Sequence, residues 1–387
     1  MKFKTMEDLA LDGKTVLLRA ALNVPIDKKK VKDTMRLKAG LPTIQYLLKH
    51  KAKIVMISHH STKGQSLAPV APVLARLLKH QVRFIPDCIG AEVTKAVAAM
   101  KPGDIVMLEN LRFHPEEEKN DLGFAKKLAA LGQVYVDDDF TVMHRKHASV
   151  AALAKLLPAA AGLQVQKEVE TITGALDKPA RPLFAVIGGA KISTKIPLIK
   201  NLLKKVDFML IGGAMANTFI AANGQEVGKS LYEADQFNTV KDIMDESIQR
   251  RVSLILPDDV VVTKRLSKLG RAKVKNAGEV EPGEIIADIG PATTARAIDA
   301  IHLAATVLWN GPVGVAELPQ FAKSSRKLAR AIADSSAVSV IGGGDTAAFI
   351  DTLHLANQFS FVSTGGGASL ELMSGAKLPG LEPLLKK

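Results

Sequence analysis

The sequence predicts an α/β protein of two domains, each built on a largely parallel sheet. Short runs of apolar, β-branched residues alternate along the chain with longer stretches whose apolar residues recur at helical spacing. Strands that alternate with helices are typical of βαβ units, in which the connected strands run parallel. The strand runs are apolar throughout, which predicts sheets that are buried on both faces. A length of 387 residues suits two such domains.

The composition excludes several classes of protein. Apolar residues make up 47% and charged residues 24%, a balance typical of globular proteins and not of disordered or fibrous ones. No apolar run is long enough to span a bilayer, and the first residues show no signal-peptide pattern. The only cysteine, Cys88, excludes a disulfide framework and a cysteine-rich metal site, and we expect it to be a small buried residue. Together these features predict a cytoplasmic protein.

The charge is strongly basic but dispersed. Lys and Arg number 52 and Asp and Glu number 39, which gives a net charge of +13. Such a surface suits an anionic partner, whether nucleic acid, membrane or small phosphates. The lysines are scattered in pairs and triplets, and aromatic residues make up only 4% of the chain, which is few for stacking on bases. Nucleic-acid binding is therefore the weakest of the functional hypotheses.

In the first half of the chain, predicted strands alternate with amphipathic helices. The strands are Thr15–Arg19, Lys53–Ile57, Val82–Ile85, Ile105–Leu108 and Val134–Val136. Helical spacing relates Leu37, Leu41, Ile44, Leu47 and Leu48, and again Phe124, Leu128 and Leu131.

The second half repeats this alternation. Its predicted strands are Leu183–Ile187, Phe208–Ile211, Ser253–Leu256, Ile285–Ile289, Thr306–Trp309, Val338–Ile341 and Phe361–Ser363. The break between the halves lies near Ala159–Arg181, where a helical pattern carries Val165, Val169 and Ile172 and ends before a pair of prolines. We interpret this helix as the connection between the domains.

Glycines follow five of the predicted strands of the second half. They are Gly188 and Gly189, Gly212 and Gly213, Gly311, Gly342 to Gly344, and Gly365 to Gly367. Ligands of parallel sheets bind outside the carboxyl ends of the strands, where glycine allows close approach and a helix N-terminus attracts phosphate. Several such junctions at one sheet edge predict a nucleotide site.

Cations and imidazoles follow the strands of the first half instead. They are Arg19 with Asn23, His59 and His60, Arg112 and His114, and Arg145 with His144 and His147, while Arg36 precedes a helix. Because the ends of parallel strands converge, these side chains predict a site for a small, multiply charged anion.

Two near matches to other motifs are rejected. Asn223–Ser230 ends like a phosphate-binding loop of the Walker A type, but its first glycine comes one position too late and a helix precedes it. His144 and His147 are three residues apart without a carboxylate or cysteine partner set, so we assign them to the anion site and not to a metal.

The motifs resemble those of the phosphoglycerate kinase family, and the resemblance covers essentially the whole chain. The matching segments are Leu22–Pro25, Leu41–Ile44, Ser58–His59, Leu108–His114, His144–Arg145, Gly188–Lys191, Val227–Leu231, Trp309–Val315, Gly342–Thr346 and Ser363–Glu371. The resemblance implies reversible phosphoryl transfer between 1,3-bisphosphoglycerate and ADP, which yields 3-phosphoglycerate and ATP.

The resemblance also implies a bilobed hinge enzyme of two Rossmann-like domains, which must close to expel water during transfer. Residues 1–165, with the tail 368–387 packed back on them, would bind phosphoglycerate. Residues 182–367 would bind the nucleotide, and 166–181 would form the interdomain helix and linker. The expected partners are Mg²⁺ with ATP or ADP and the triose alone, without membrane or specific nucleic acid, and the expected state is a monomer.

Residue roles follow from the matching positions. The resemblance implies a phosphoglycerate site formed by Asn23, Arg36, His59, Arg112 and Arg145. It implies a nucleotide site formed by Gly188, Gly189, Lys191, Lys195, Gly212, Gly213, Asn310, Glu317, Gly343, Gly344, Asp345 and Thr346. Glu317 would accept the ribose hydroxyls and Asp345 would be tied to the magnesium nucleotide. The implied catalytic set is Arg36, Lys195, Gly343 and Gly366.

Several positions depart from the family pattern. Ala21 replaces an aspartate, Thr62 stands where the pattern has an arginine, and Asp139 adds a carboxylate near the anion site. The segment Thr141–Met143 and Ala316 also differ. The sequence therefore predicts an active kinase with weakened triose binding; the alternative is a nucleotide-binding pseudoenzyme whose triose site has decayed.

Overall fold

The computed structural model describes residues 2–386, and the chain forms two compact units. The first contains the residues up to Glu170 together with those from Lys377 onward, and the second is Thr171–Ala376. The predicted domain limits, 165 and 182, fall on either side of the boundary at Glu170. The tail predicted from residue 368 begins at Lys377, because the preceding helix stays in the second unit, where Asn201 Nδ2 donates to the Met373 carbonyl at 2.7 Å.

A six-stranded parallel sheet forms the centre of the first unit, in the order β5-β6-β4-β1-β7-β8. The strands of this unit are β1 Thr15–Arg19, β2 Ile26–Asp27, β3 Lys30–Val31, β4 Lys53–Ile57, β5 Arg83–Ile85, β6 Ile105–Leu108, β7 Val134–Asp137 and β8 Ala159–Ala161. Strands β2 and β3 form a separate antiparallel pair. Strand β8 was missed in the sequence because three alanines carry no β-branched pattern.

Helices cover this sheet. They are α1 Met35–Lys49, α2 Val70–Leu78, α3 Ala91–Ala98 and α4 Leu122–Ala129, with shorter 3₁₀ turns at Met6–Asp8, Leu111–Phe113, Phe140–Val142, Leu153–Lys155 and Glu382–Leu384 and a π turn at Ala148–Ala152. Helix α5, Leu163–Asp177, contains the boundary at Glu170 and so belongs to both units. The Asp138 carboxylate caps the N-terminus of α5, because it accepts the backbone N–H groups of Gln164 and Val165 at 2.8 and 3.3 Å. The C-terminal segment joins this unit through Lys4 N, which donates to Leu384 O at 2.8 Å.

The second unit is built on another six-stranded parallel sheet, in the order β11-β10-β9-β15-β16-β17. Its strands and those of a smaller sheet are β9 Leu183–Ile187, β10 Phe208–Ile211, β11 Ser253–Ile255, β12 Asp259–Thr263, β13 Lys273–Asn276, β14 Ile285–Ile289, β15 Thr306–Asn310, β16 Val338–Gly342 and β17 Phe361–Val362. Its helices are α6 Ile196–Leu203, α7 Ala216–Ala222, α8 Phe237–Gln249, α9 Pro291–Leu303, α10 Lys323–Ala333, α11 Gly344–Thr352 and α12 Gly367–Met373, with 3₁₀ turns at Ala234–Gln236, Ala277–Glu279, Pro319–Phe321 and Ala356–Gln358.

One predicted strand belongs to a different sheet from the one expected. Ile285–Ile289 has the predicted bounds, but it pairs antiparallel with β12 in the three-stranded order β13-β12-β14. The prediction that it joins the parallel sheet was wrong, because an apolar run of five residues does not encode its partner. The α/β class and the two mainly parallel sheets are confirmed.

Buried apolar side chains between sheet and helices stabilise each unit. Leu18, Met56 and Leu74 belong to the core of the first unit, and Phe184 and Trp309 to that of the second. The functional side chains follow the carboxyl ends of the central strands. Of the helices in the described part of the chain, none has both the length and the apolar character needed to cross a bilayer.

Candidate active site

Polar side chains from two loops and from the start of α1 meet beside the ends of β1 and β4 in the first unit. Arg36 Nη1 donates to the Asn23 carbonyl at 2.7 Å, and Asn23 Oδ1 accepts the backbone N–H of Ser61 at 3.1 Å. Asn23 Nδ2 lies 3.5 Å from His59 Nε2. The structure therefore brings together Asn23, Arg36 and His59, as the sequence predicts.

Arg112, in the 3₁₀ turn after β6, and Arg145, eight residues beyond β7, add positive charge to this cluster. Burial, followed by the nearby guanidinium groups of Arg19, Arg112 and Arg145, lowers the pKa of the His59 imidazole well below its usual value. The same causes lower the pKa of His147 to about 4. Both imidazoles are thus neutral near pH 7, and the positive charge of the cluster resides on the arginines.

Arg112 carries donors that nothing in residues 2–386 accepts. Its Nε lies 3.1 Å from a Glu118 carboxylate oxygen, but neither Nε nor Nη2 makes a hydrogen bond, although both are buried. Burial lowers the pKa of this guanidinium, with Glu118 opposing and Arg145 assisting the change. Buried donors without acceptors are costly, so an anion bound here would relieve that cost.

Arg19 does not join the anion site. Its side chain is fully buried and forms an ion pair with Asp139, while its Nε donates to Ser149 Oγ at 2.9 Å. Burial alone would lower the pKa of Arg19, but the carboxylates of Asp139 and Asp137 outweigh it and raise the pKa. The prediction that Arg19 is an available cation was wrong, because its ion-pair partner lies 120 positions away in the sequence.

His60 and His114 are also held by the protein itself. His60 is buried, with Nε2 3.0 Å from the Val24 carbonyl, and its backbone N–H donates to Asn110 Oδ1 at 3.0 Å. His114 Nε2 lies 2.8 Å from an Asp87 carboxylate oxygen. Both imidazoles are thus engaged by protein groups outside the arginine cluster, so the prediction that they form part of the anion site was wrong.

A cavity of about 440 Å³ opens beside the strand ends of the second unit, a volume typical of small-molecule sites. Its lining includes the predicted residues Gly189, Gly213, Glu317 and Asp345. Exposed Glu317 and Asp345 bring carboxylates to its surface. Lys191 is exposed and is not among the lining residues.

Lys195 and Asn310 form the polar centre of this unit. The Lys195 ammonium donates to Asn310 Oδ1, and the buried Asn310 Nδ2 has no hydrogen-bond partner in the described chain. Burial lowers the pKa of Lys195 to about 8, with the Asp345 carboxylate opposing this change. Within residues 2–386 no carboxylate oxygen lies within ion-pair distance of the Lys195 ammonium. An anionic acceptor would satisfy both groups.

The glycines at the strand ends serve two purposes. A Cβ at Gly188 would lie 2.0 Å from the Pro312 carbonyl, and one at Gly212 would lie 2.6 Å from Val313 Cβ, so these positions require glycine for close packing. By contrast, a Cβ at Gly344 or Gly366 would meet nothing within 4 Å. Gly343 adopts a φ of +92°, which positions the start of α11. Thr346 supports the same turn, since its Oγ1 accepts the Gly311 N–H at 2.7 Å.

The donor set of the second unit suits a magnesium nucleotide. Asp345 offers a carboxylate oxygen, which is the ligand type that Mg²⁺ prefers, and it lies near the Lys195 ammonium. The unpartnered Asn310 amide and the first N–H groups of α11 suit phosphate oxygens. The residues present therefore fit the group that the sequence predicts.

The cavity also includes residues that the sequence pattern did not predict. Asn217, Asp288 and Phe349 line it. Burial raises the pKa of the Asp288 carboxyl to about 7, although it accepts the Ser324 N–H at 3.0 Å. Asp288 is the fourth residue of β14, and the incorrect assignment of β14 to the parallel sheet concealed its position.

Comparison with known proteins decides the family. A profile described as phosphoglycerate kinase matches residues 6–376. The chain belongs to the phosphoglycerate kinase family. The phosphoglycerate kinases of Moorella thermoacetica and Dictyoglomus turgidum are 46% identical over 389 residues and 45% identical over 396 residues. The alignments cover 99% of this chain and 99% of the first relative, and 100% of this chain and 100% of the second.

Solved structures of the phosphoglycerate kinase family share the fold. The Coxiella burnetii structure has a TM-score of 0.89 and 40% identity, covering 99% of this chain and 98% of its own. The Pyrococcus horikoshii structure has a TM-score of 0.83 and 31% identity, with 98% coverage of both chains.

Membership of the phosphoglycerate kinase family establishes the reaction class. The chain is a phosphotransferase that acts on a carboxyl acceptor, and the predicted kinase function is confirmed by the family match and the named relatives. None of these comparisons supports the pseudoenzyme alternative.

Proposed function

We propose that the first unit binds 3-phosphoglycerate or 1,3-bisphosphoglycerate and that the second unit binds ADP or ATP with Mg²⁺. The observation that carries this division is the unpartnered Asn310 amide beside the Lys195 ammonium in the second unit. Arg112, with its unpartnered buried donors, is the corresponding group in the first unit. Each site thus has buried N–H donors, on Asn310 and on Arg112, for which residues 2–386 provide no acceptor.

In the triose site, the arginines bind charge and the neutral groups orient the ligand. Arg112 and Arg145 would form charge-assisted hydrogen bonds with carboxylate or phosphate oxygens. Asn23 and His59, which lie 3.5 Å apart, would bind the polar groups between the charged ends. Arg36 Nη1 donates to the Asn23 carbonyl at 2.7 Å, and the remaining N–H groups of Arg36 would bind the transferring phosphoryl group.

In the nucleotide site, Lys195 and the first turn of α11 would bind the phosphates, and Glu317 would accept the ribose hydroxyls. Asn310 would donate its Nδ2 to a phosphate oxygen while its Oδ1 orients the Lys195 ammonium. Magnesium, when bound with the nucleotide, would supply positive charge beside the phosphate oxygens, and Asp345 is the residue that would hold it.

The reaction needs positioning and positive charge more than covalent help from the protein. An oxygen of the ADP β-phosphate attacks the acyl phosphate, the bond from that phosphorus to the carboxyl oxygen breaks, and 3-phosphoglycerate leaves as a carboxylate. Arg36 and Lys195 would stabilise the charge that develops on the transferring group. The backbone N–H groups of Gly343 and Gly366 would add neutral donors, so all four predicted catalytic residues have a role.

The test is a coupled assay of ATP-dependent phosphorylation of 3-phosphoglycerate, with nucleotide binding measured in parallel by calorimetry. We expect turnover in the unmodified protein and a loss of roughly 100-fold or more in kcat for Lys195→Ala, since it removes charge stabilisation of the transition state. Lys200→Ala, which changes an exposed lysine on α6, is the matched control. Unchanged turnover in a folded Lys195→Ala protein would contradict the assignment of Lys195 to the transferring phosphoryl group.

A further inference from the structure

Three potential metal ligands meet at the edge of the first sheet. Asp87 and Cys88 follow β5, and His114 follows the 3₁₀ turn Leu111–Phe113 after β6. Strands β5 and β6 are parallel neighbours that pair Ile85 with Leu108, so the loops after them emerge at the same edge. Their carboxylate oxygen, thiol sulfur and imidazole nitrogen all lie within 4.8 Å of one another.

The loop geometry orients these donors. Asp87 Oδ1 accepts the backbone N–H of Cys88 at 2.6 Å and lies 2.8 Å from His114 Nε2. The His114 ring stacks on Phe124 at a centroid distance of 5.5 Å, which limits its rotation. These contacts hold the Asp87 carboxylate and the His114 ring beside the Cys88 sulfur.

The three proposed ligands differ in how deeply they are buried. The whole Cys88 residue is 1% exposed, whereas the side chains of His114 and Asp87 are 27% and 49% exposed. The sulfur lies at the closed side, and the oxygen and nitrogen lie at the open side. An ion could approach from solvent past Asp87 and His114 and keep a water molecule on that side.

We propose that Asp87, Cys88 and His114 bind a borderline-soft divalent ion of the Zn²⁺ class, with water as the fourth ligand. A thiolate, an imidazole and a carboxylate form a donor set that suits Zn²⁺ or Co²⁺ and not Mg²⁺. Bonds of about 2.0–2.3 Å to a tetrahedral ion place donors roughly 3.3–3.8 Å apart. Movements of about 1 Å would bring the present cluster to that geometry.

Binding exchanges bonds in a balanced way. The Cys88 sulfur loses its proton to solvent as the metal–sulfur bond forms, and the hydrogen bond between Asp87 and His114 is replaced by a bond from each to the metal. His114 then coordinates through Nε2, so the ring proton resides on Nδ1. The site uses none of the residues assigned to triose or nucleotide, so it stands independently of the proposed function.

Cobalt(II) provides the test, because a thiolate bound to it produces a near-ultraviolet charge-transfer band. Cys88 is the only cysteine of the chain, so this band can come from no other residue. Titration of the full chain with Co²⁺ in the absence of nucleotide should produce the band at one equivalent. Zn²⁺ should abolish it, and a large excess of Mg²⁺ should not.

Variants separate a three-ligand site from a reactive thiol alone. Cys88→Ser should remove the band, and His114→Gln and Asp87→Asn should each weaken Co²⁺ binding by tenfold or more. His302→Gln, which changes an exposed histidine on α9, should leave binding unchanged. Absence of the band at saturating Co²⁺ overturns the proposal, as does unchanged affinity in both His114→Gln and Asp87→Asn. If Cys88→Ser fails to fold, those two variants, which alter partly exposed side chains, still decide the result.

Discussion

Arg19 and Asp139 form an ion pair in which both side chains are completely buried. Arg19 ends β1 and pairs in register with Asp137, the last residue of β7. Ala21 and Asp139 therefore each come two residues beyond paired positions of neighbouring strands. Where the family pattern has a carboxylate at position 21, after β1, this chain has one at position 139, after the neighbouring strand β7. That carboxylate is engaged by Arg19 and by Thr141, whose Oγ1 donates at 2.5 Å.

We expect Asp139→Ala to lower the free energy of unfolding by about 3–5 kcal/mol, because it leaves the Arg19 guanidinium buried and uncompensated. Denaturant unfolding followed by circular dichroism measures this change. Asp299→Ala, at an exposed position on α9, is the matched control and should change stability by less than about 0.5 kcal/mol. A loss below about 1 kcal/mol for Asp139→Ala would contradict the importance of the pair.

Restoring the family pattern at the triose site should improve it. Ala21→Asp returns an acceptor for the substrate hydroxyl, and Thr62→Arg returns a guanidinium fork. Each should raise kcat/KM for 3-phosphoglycerate by roughly 10- to 100-fold, while KM for ATP barely moves. The gains need not add, because both groups would hold one small ligand.

Steady-state kinetics on the two single variants and the double variant test this prediction. A third variant, in which the family pattern is also restored over Thr141–Met143, removes any crowding of the triose site by that segment. The idea fails if the unmodified protein already binds 3-phosphoglycerate as tightly as the full reversion does.

Nucleotide affinity should fall as the pH rises above about 8. The pKa of Lys195 is lowered to about 8 in the free protein, and bound phosphate favours the protonated ammonium, so its pKa is higher in the complex. The contribution of Lys195 is therefore fully present below pH 8 and decreases by up to tenfold per pH unit above it. The phosphates titrate near pH 6 and keep a constant charge in this range.

Calorimetry of ADP binding from pH 7 to 10, in buffers of different ionisation enthalpy, measures both the affinity and the proton uptake. Lys200→Ala should show the same pH profile as the unmodified protein, and Lys195→Ala a flat one. A decline of equal steepness in Lys195→Ala would show that another group is responsible.

Two alanine substitutions should separate packing glycines from ligand-facing glycines. A Cβ at Gly311 would lie 2.1 Å from the Gly188 carbonyl at a φ of +97°, so Gly311→Ala should cost more than about 3 kcal/mol of stability. The Cβ added by Gly344→Ala would have no atom within 4 Å, so this substitution should leave the melting temperature almost unchanged. It should nevertheless weaken ADP binding, because a methyl group at the start of α11 would crowd the phosphates.

Thermal unfolding and ADP titration of both variants provide the measurements. Equal destabilisation by the two substitutions would remove the distinction between these glycines. Full ADP affinity in Gly344→Ala would place the phosphates elsewhere in the cavity.

The local pattern of apolar residues and turn signals was enough to predict most of the fold. Thr15–Arg19, Lys53–Ile57 and Leu183–Ile187 occupy the predicted bounds, since each is an apolar run of strand length between turn signals. Strands β12 and β13 were not predicted, and β14 was placed in the wrong sheet. The partner of an edge or antiparallel strand depends on distant residues, which a short run does not encode. The hinge motion and the monomeric state stay predictions.

By itself, the sequence determined the α/β class, the family, and the chemical character of each half, because residue type and the order of motifs carry that information. Only the tertiary structure decided which cations are available. Arg19 and Arg112 are identical in type, yet Asp139 holds Arg19, whereas Arg112 keeps buried donors that no acceptor in residues 2–386 satisfies. Whether an ionisable side chain is neutralised or left for a ligand depends on partners brought close by folding, and at low dielectric those partners dominate its charge.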